Sequence, residues 1–263
     1  MIHEAAIRFE RARVVYANGA VGLAGVDLSI APGEFVVVVG SSGAGKSTLL
    51  RAVNGLTPLT AGSVAVHGQP VPRKEGRELR QLRAQVGMIF QDFRITRRLT
   101  VMTNVLVGRV AHVPGWRAML NLWPEADREI AFRALERVGI TDKAWVRAGD
   151  LSGGQQQRVG IARALAQEPA IILADEPVAS LDPVTTHQIM RDLVRINQEL
   201  GITTVVNLHF LDLARRYGQR IIGLRAGEVV YDGSASTVTQ NDFRHIYGRD
   251  PDAGDVLDED AAP

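Results

Sequence analysis

Apolar and polar positions change rhythm several times along the chain, and each change marks an element. Across residues 4–39, short β-like runs are punctuated by turns at Asn18-Gly19 and Pro32-Gly33, the pattern of antiparallel strands. The last run, Phe35-Val36-Val37-Val38-Val39, is apolar throughout and reads as a buried strand. Ser63–His67 and Val86–Phe90 are further strands, with the charged stretch Arg73–Arg83 between them as a solvated loop and helix. From about 92 to 168 the period becomes helical. Glu125–Val138 sets Ile130, Ala131, Ala134, Leu135 and Val138 on one face. Strand character returns at Ile171–Ala174, Thr203–Leu208, Arg220–Leu224 and Glu228–Tyr231, and Pro183 opens a helix running to Leu200. Strands alternating with helices predict an α/β fold with a parallel sheet covered by helices.

Bulk properties narrow the function classes. The chain has 263 residues, 46% hydrophobic and 22% charged, the composition of an ordinary globular domain. A net charge of +1 offers no polyelectrolyte case for nucleic acid. There is no cysteine, which excludes disulfides and thiol chemistry and fits a reducing compartment. Residues Ile2–Arg11 lack the apolar core of a signal peptide, and the longest apolar runs are too short to span a bilayer. Any membrane role therefore runs through partners. Arg249–Pro263 is acidic and rich in small residues, and is expected to be disordered.

The chemistry is concentrated where the apolar run Phe35–Val39 breaks. Gly40-Ser41-Ser42-Gly43-Ala44-Gly45-Lys46-Ser47-Thr48 follows it directly and matches G-x-x-x-x-G-K-[ST] in strand–turn–helix context. Consecutive backbone N–H groups and a helix N-terminus make an anion cradle. Lys46 is expected to reach the β- and γ-phosphates and Ser47 to ligate Mg²⁺. Four fixed positions match by chance in a chain this long roughly 1% of the time, and the preceding strand lowers that further. Lys46, Lys74 and Lys143 are the lysines of an arginine-rich chain, so a lysine here is informative. A dinucleotide fingerprint is disfavoured because Thr48 stands where its third glycine belongs.

Two further segments fit the same chemistry. Ile171-Ile172-Leu173-Ala174-Asp175-Glu176 is an apolar strand ending in two carboxylates, costly to bury unless paired. Asp175 is placed to hold Mg²⁺, directly or through water, and Glu176 to polarise the water that attacks the γ-phosphate. The simpler reading is a helix cap after a core strand, since Pro177 follows. Ser152-Gly153-Gly154-Gln155 opens a helix, and Ser152 with Gln155 fits a capping box. Two glycines in that first turn cost about 1 kcal/mol each relative to alanine. That cost makes sense if bare N–H groups and the Ser152 hydroxyl approach an anion.

Leu151-Ser152-Gly153-Gly154-Gln155 is the signature of the ABC ATPase family, which the chain resembles from about residue 4 to 248. The remaining motifs follow in order: Gln91 after a strand, Asp175-Glu176, Ser180-Leu181-Asp182 and His209 after a strand. The resemblance implies a P-loop NTPase, RecA-like core with an N-terminal antiparallel β-subdomain and an inserted α-helical signature subdomain. By position, the β-subdomain and core span 1–91 and 160–248, and the helical subdomain spans 92–159, all within an ATPase domain over 1–248. It further implies a head-to-tail homodimer in which Ser152, Gly153, Gly154 and Gln155 of one protomer face ATP held by the other. Gln91 would touch Mg²⁺ and attacking water and sense membrane subunits. Asp182 would lie at the dimer interface, His209 would hold the γ-phosphate and Glu176, and Tyr16 would stack on adenine. Singly, Gln91, Tyr16 or His209 is ordinary surface, core or hydrogen-bonded structure; their order around two strong motifs is what singles them out.

Within the family, Arg97-Arg98-Leu99-Thr100-Val101, Arg137-Val138-Gly139-Ile140, Pro177–Pro183 and His245-Ile246-Tyr247-Gly248 resemble the ATPases of phosphonate importers. That implies two integral membrane permease subunits, an extracytoplasmic phosphonate-binding protein and a position on the cytoplasmic face of the membrane. Asp92 and Asn207 depart from the usual family residues. DNA-repair members split the cassette with coiled coils, and no sustained heptad run occurs here. Translation-associated members usually carry two cassettes, and here there is one P-loop. Another small-solute importer, or a division-type ATPase that signals without transport, shares these motifs.

Overall fold

The computed structural model describes residues 4–250 and 252–257. Alternation builds the N-terminal strands. In β1 (Ile7–Val15) Ile7, Phe9, Ala12 and Val14 point inward, and the slip between Phe9 and Ala12 is a β-bulge at Arg11, whose φ is 44°. The Asn18-Gly19 turn returns the chain antiparallel as β2 (Val21–Ile30). The sheet gains its other two strands from beyond the P-loop. β3 (Phe35–Val39) and helix α1 (Lys46–Val53) intervene before β4 (Ala61–Val66) pairs with β1, and the short β5 (Gln69–Pro70) completes the order β2-β1-β4-β5.

β3 itself belongs to the second sheet, and its burial explains its composition. All five residues are buried because alternate side chains enter two cores: Phe35, Val37 and Val39 one, Val36 and Val38 the other. Helix α2 (Arg77–Gln85) leads into β6 (Val86–Ile89). The helical stretch then supplies α3 (Val101–Leu106), α4 (Gly115–Met119), α5 (Glu125–Arg137) and α6 (Gly153–Leu165). Its first residues are not helical. Phe93 and Arg94 have φ of 57° and 46°, and the Asn104 side chain accepts from Thr96 N–H and donates to the Thr96 and Thr100 carbonyls. Helices α3, α5 and α6 pack together and share one continuous core with the sheet.

The last third restores the α/β alternation: β7 (Ile171–Asp175), α7 (Pro183–Leu200), β8 (Thr203–Asn207), α8 (Leu211–Tyr217), β9 (Arg220–Arg225), β10 (Glu228–Ser234) and α9 (Gln240–Tyr247). Sheet order is β10-β9-β3-β8-β7-β6, parallel except for the β9–β10 hairpin. β3 is thus central. Among the described residues no helix is long and apolar enough to cross a membrane.

The acidic segment differs from expectation over its first part. Arg249 forms a two-point ion pair with the buried Asp255, and the Leu257 amide donates to Asp212 Oδ1 at 3.1 Å. Two arginine N–H bonds and an apolar side chain against the core anchor a stretch that composition alone reads as solvated. Residues 251 and 258–263 of the expected disordered tail lie outside the described residues.

Candidate functional site: a phosphate cradle at the carboxyl ends of the parallel strands

The predicted residues gather because parallel strands deliver their C-terminal ends to one edge of the sheet. β3 runs into Gly40–Gly45, β7 ends at Asp175 with Glu176 next, β8 ends at Asn207 with His209 two residues on, and β6 runs toward Gln91. Gly45 caps α1 with no side-chain hydrogen bond to the helix, so the first-turn N–H groups face outward. The glycines of the loop have different physical reasons. A Cβ on Gly40 or Gly45 would strike the Leu224 or Gly22 carbonyl oxygen at 2.2 and 2.3 Å, whereas one on Gly43 would meet nothing within 4 Å. Gly43 opens onto the cradle; the other two let β-strands approach it.

Lys46 is buried, and its Nζ donates to the Gly40 carbonyl at 2.6 Å and the Ser41 carbonyl at 3.2 Å. Burial lowers its pKa, while Glu176 and Asp175 pull it back up. A desolvated ammonium folded onto two carbonyls is poised to take a stronger anionic partner. Asp175, 4% exposed, collects three donors: Ser47 Oγ at 2.7 Å, Asn207 Nδ2 at 2.9 Å and the Arg51 guanidinium at 3.0 Å. The donor set suits Mg²⁺. One carboxylate and one hydroxyl are hard oxygen ligands of the number this ion takes from protein when phosphates and waters complete its shell. Asn207 Oδ1 is buried without a hydrogen-bond partner beside the same carboxylate, leaving an acceptor available to the site.

Glu176 follows with φ of 52°, a left-handed backbone that costs a non-glycine residue about 1–2 kcal/mol. Such strain persists where surrounding structure enforces it, commonly at functional sites. The carboxylate Oε1 lies 2.5 Å from His209 Nε2. That hydrogen bond lowers the Glu176 pKa, with the charges of His209, Lys46 and Arg51 acting in the same direction and burial opposing them. The group is therefore held ionised and able to accept a proton.

The other predicted residues fall into two places. Tyr16, partly exposed, crosses the start of α1, and its hydroxyl shares a 2.8 Å hydrogen bond with Thr48 Oγ1. Gly22 is bare beneath the pair, since a Cβ there would lie 2.8 Å from both Tyr16 and Thr48. Gln91 is exposed in the turn after β6, followed by exposed Asp92. The signature lies with Asp182 instead. Ser152 and Gln155 form a reciprocal capping box on α6, a Gly154 Cβ would lie 2.4 Å from Thr185 Cγ2, and Gly153 faces Leu181. Asp182 caps α7 by accepting from Thr185 N–H at 3.0 Å. In one chain, then, the cradle gathers Ser41, Ser42, Ala44, Lys46, Ser47, Asp175, Glu176 and His209, and the signature contacts the Asp182 turn.

Two residues of the cradle were not singled out from sequence. Arg51 carried a legible signal: it stands four residues after Ser47 on α1, so both side chains share one helix face and reach the same carboxylate. Asn207 was visible only as a departure. Its contact with Asp175 follows from the β7–β8 register, which pairs Asp175 with Asn207.

A parallel sheet whose central strand opens into this cradle, with a carboxylate–histidine pair beside it, defines a nucleotide-binding ATPase of the P-loop class. A sequence model of the ABC transporter family matches residues 23–179. The chain is 56% identical over 260 residues to a phosphonates import ATP-binding protein, PhnC, of Shouchella clausii, covering 97% of this chain and 98% of that one. It is 57% identical over 243 residues to the protein of the same name from Staphylococcus epidermidis, covering 92% and 95%. Among solved structures, cbiO1 from Clostridium perfringens, part of an ABC transporter complex, aligns with a TM-score of 0.76 at 30% identity over 88% of this chain and 89% of that one. A dimeric bacterial ABC transporter cassette aligns with a TM-score of 0.75 at 35% identity over 88% and 100%. The chain belongs to the ABC transporter family, as an ATP-binding cassette that hydrolyses ATP.

Proposed function

We propose that the protein is the ATP-hydrolysing subunit of a phosphonate importer, acting as a homodimer beneath two membrane permease subunits on the cytoplasmic face. An extracytoplasmic binding protein would deliver the solute. The relatives at 56–57% identity over nearly the whole chain carry the solute class, because no residue of a cassette touches what is transported. The dimeric cassette among the structural relatives supports the assembly. In this reading the ATPase domain is residues 1–248, with the β-subdomain and core at 1–91 and 160–248 and the helical subdomain at 92–159.

The cradle accounts for the reaction. Tyr16 faces the adenine, and the N–H groups of Gly40–Thr48 hold the phosphates. Lys46 exchanges the Gly40 and Ser41 carbonyls for β- and γ-phosphate oxygens. Ser47, Gln91 and Asp175, the last directly or through water, would hold Mg²⁺, which would supply neutralisation of phosphate charge. Arg51 pairs with the same Asp175 carboxylate and balances its charge. Glu176 accepts a proton from the water that attacks the γ-phosphorus in line, while His209 fixes the carboxylate and contacts the γ-phosphate. The second wall of the site is the partner protomer's signature turn, with Asp182 at the interface. Hydrolysis removes the phosphate that joins the protomers, and their separation moves the attached permeases.

The carrying observation for catalysis is the 2.5 Å contact between Glu176 and His209 beside the cradle. Glu176→Gln should still bind ATP, lower turnover by about 10²–10⁴-fold and accumulate dimer on gel filtration. Parental turnover would sink the assignment. For the solute, a strain lacking the gene should fail to grow on a simple alkylphosphonate as sole phosphorus source. Growth should return with the parent chain and not with Glu176→Gln; a strain that grows without the gene contradicts phosphonate import.

A further inference from the structure

Tyr247, the last residue of α9, stands behind the cradle rather than in it. Its side chain is buried, and its hydroxyl donates to the His209 carbonyl at 3.1 Å. The backbone of Gly40, the first residue of the P-loop, lies near the same hydroxyl and acts to lower its pKa. One phenol thus holds the backbone of the His209 loop at a point beside the P-loop. Burial raises the phenol's pKa, so the hydroxyl keeps its proton and its bond to His209.

The C-terminal segment holds this tyrosine. Ile246 packs so tightly on Gly223 of β9 that a Cβ there would lie 2.4 Å from Ile246 Cγ1. Arg225 donates to the His245 carbonyl at 3.2 Å, and Gly248 turns the chain out of the helix at φ 69°. Arg249 then places its guanidinium over the Tyr247 ring, 5.7 Å from the centroid, while pairing with the buried Asp255. Leu257 donates to Asp212 in the first turn of α8, three residues after His209. The His209 loop is therefore held by Tyr247 at its carbonyl and by Leu257 just beyond it.

We propose that Tyr247 is a positioning residue for ATP hydrolysis, setting the His209 loop in place beside the P-loop, with Arg249, Asp255 and Leu257 as its buttress. The reasoning rests on Glu176 and His209 being the hydrolytic pair. His209 is 36% exposed on its side chain and has its ion-pair partner in Glu176, so the imidazole's place depends on where its backbone is held. Misplacing a reacting group by about 1 Å can lower rate by about 10²-fold. Losing one neutral hydrogen bond at the loop's backbone shifts it less.

The test is full-length Tyr247→Phe, which keeps the ring and removes the hydroxyl. The expected result is a kcat for ATP hydrolysis lowered about three- to tenfold, with KM for ATP within about twofold of the parent. Asp255→Asn, which leaves the hydroxyl in place and weakens the buttress, should lower kcat about twofold with the same KM; it decides the matter if Tyr247→Phe does not fold. An unchanged kcat in the folded variants overturns the proposal, whether or not the unfolding temperature drops, and so does a raised KM with unchanged kcat. Glu176→Gln is assayed beside them. If it turns over like the parent, the catalytic reading itself fails. If it is inert while Tyr247→Phe and Asp255→Asn are unaffected, only the role of Tyr247 fails.

Discussion

Alanine at Gly45 should damage the fold before any nucleotide arrives, and alanine at Gly43 should not. Gly45 precedes α1 at φ 106°, and a Cβ there would lie 2.3 Å from the Gly22 carbonyl oxygen, which is backbone of β2 and cannot rotate away. Left-handed backbone costs about 1–2 kcal/mol for a non-glycine residue. Forcing a methyl into packed structure adds about 1–3 kcal/mol. Gly45→Ala should therefore lose about 2–5 kcal/mol of unfolding free energy in the nucleotide-free protein. Gly43 has φ of 79° but open space around its would-be Cβ, so only the first cost applies, about 1–2 kcal/mol. Its methyl would stand in the space offered to phosphate, so its larger deficit is in ATP affinity. Urea unfolding without nucleotide, followed by tryptophan fluorescence, separates the two, and ATP titration completes the comparison. Equal losses of stability, or an unchanged unfolding midpoint for Gly45→Ala, would refute the division of labour within the loop.

Acid should act through Glu176. Its folded pKa lies below the unfolded value of about 4.3, so its stabilisation is complete above that pH and is lost as pH falls through the folded value. Parent and Glu176→Gln should therefore differ in unfolding free energy near neutrality and converge as the pH falls below the usual carboxylate range; a gap independent of pH contradicts the assignment. Mixing protomers tests the shared site. Lys46→Ala and Ser152→Ala are each expected to be nearly inert. An equal mixture places one intact P-loop opposite one intact signature in half its dimers, so about a quarter of the parental rate should return. No recovery would mean that each chain completes its own site.

Periodicity and motif read well where local physics is decisive. The helix at Pro183–Leu200 formed as expected because Asp182 caps it, proline suits its first turn and Gly201 ends it at φ 64°. The capping box at Ser152 and Gln155 also formed. Residues 92–100 broke the expected helical pattern because the Asn104 side chain and two left-handed residues hold an irregular loop. The segment Asp252–Leu257 looked solvated, yet Arg249 and Asp212 anchor it from elsewhere in the fold.

By itself the chain determined its P-loop, its α/β class and its signature, because each depends on residue type at short spacing, whereas the pairing of His209 with Glu176 came from the family resemblance. Only the tertiary structure decided that β3 is the central strand and that β4 joins β1 across the P-loop helix. Only the β7–β8 register set Asn207 against Asp175, and only chain-end packing brought Tyr247 behind His209. Those are pairings between residues tens to hundreds of positions apart. Local propensity says which strands exist, whereas their order depends on how two hydrophobic cores are filled at once.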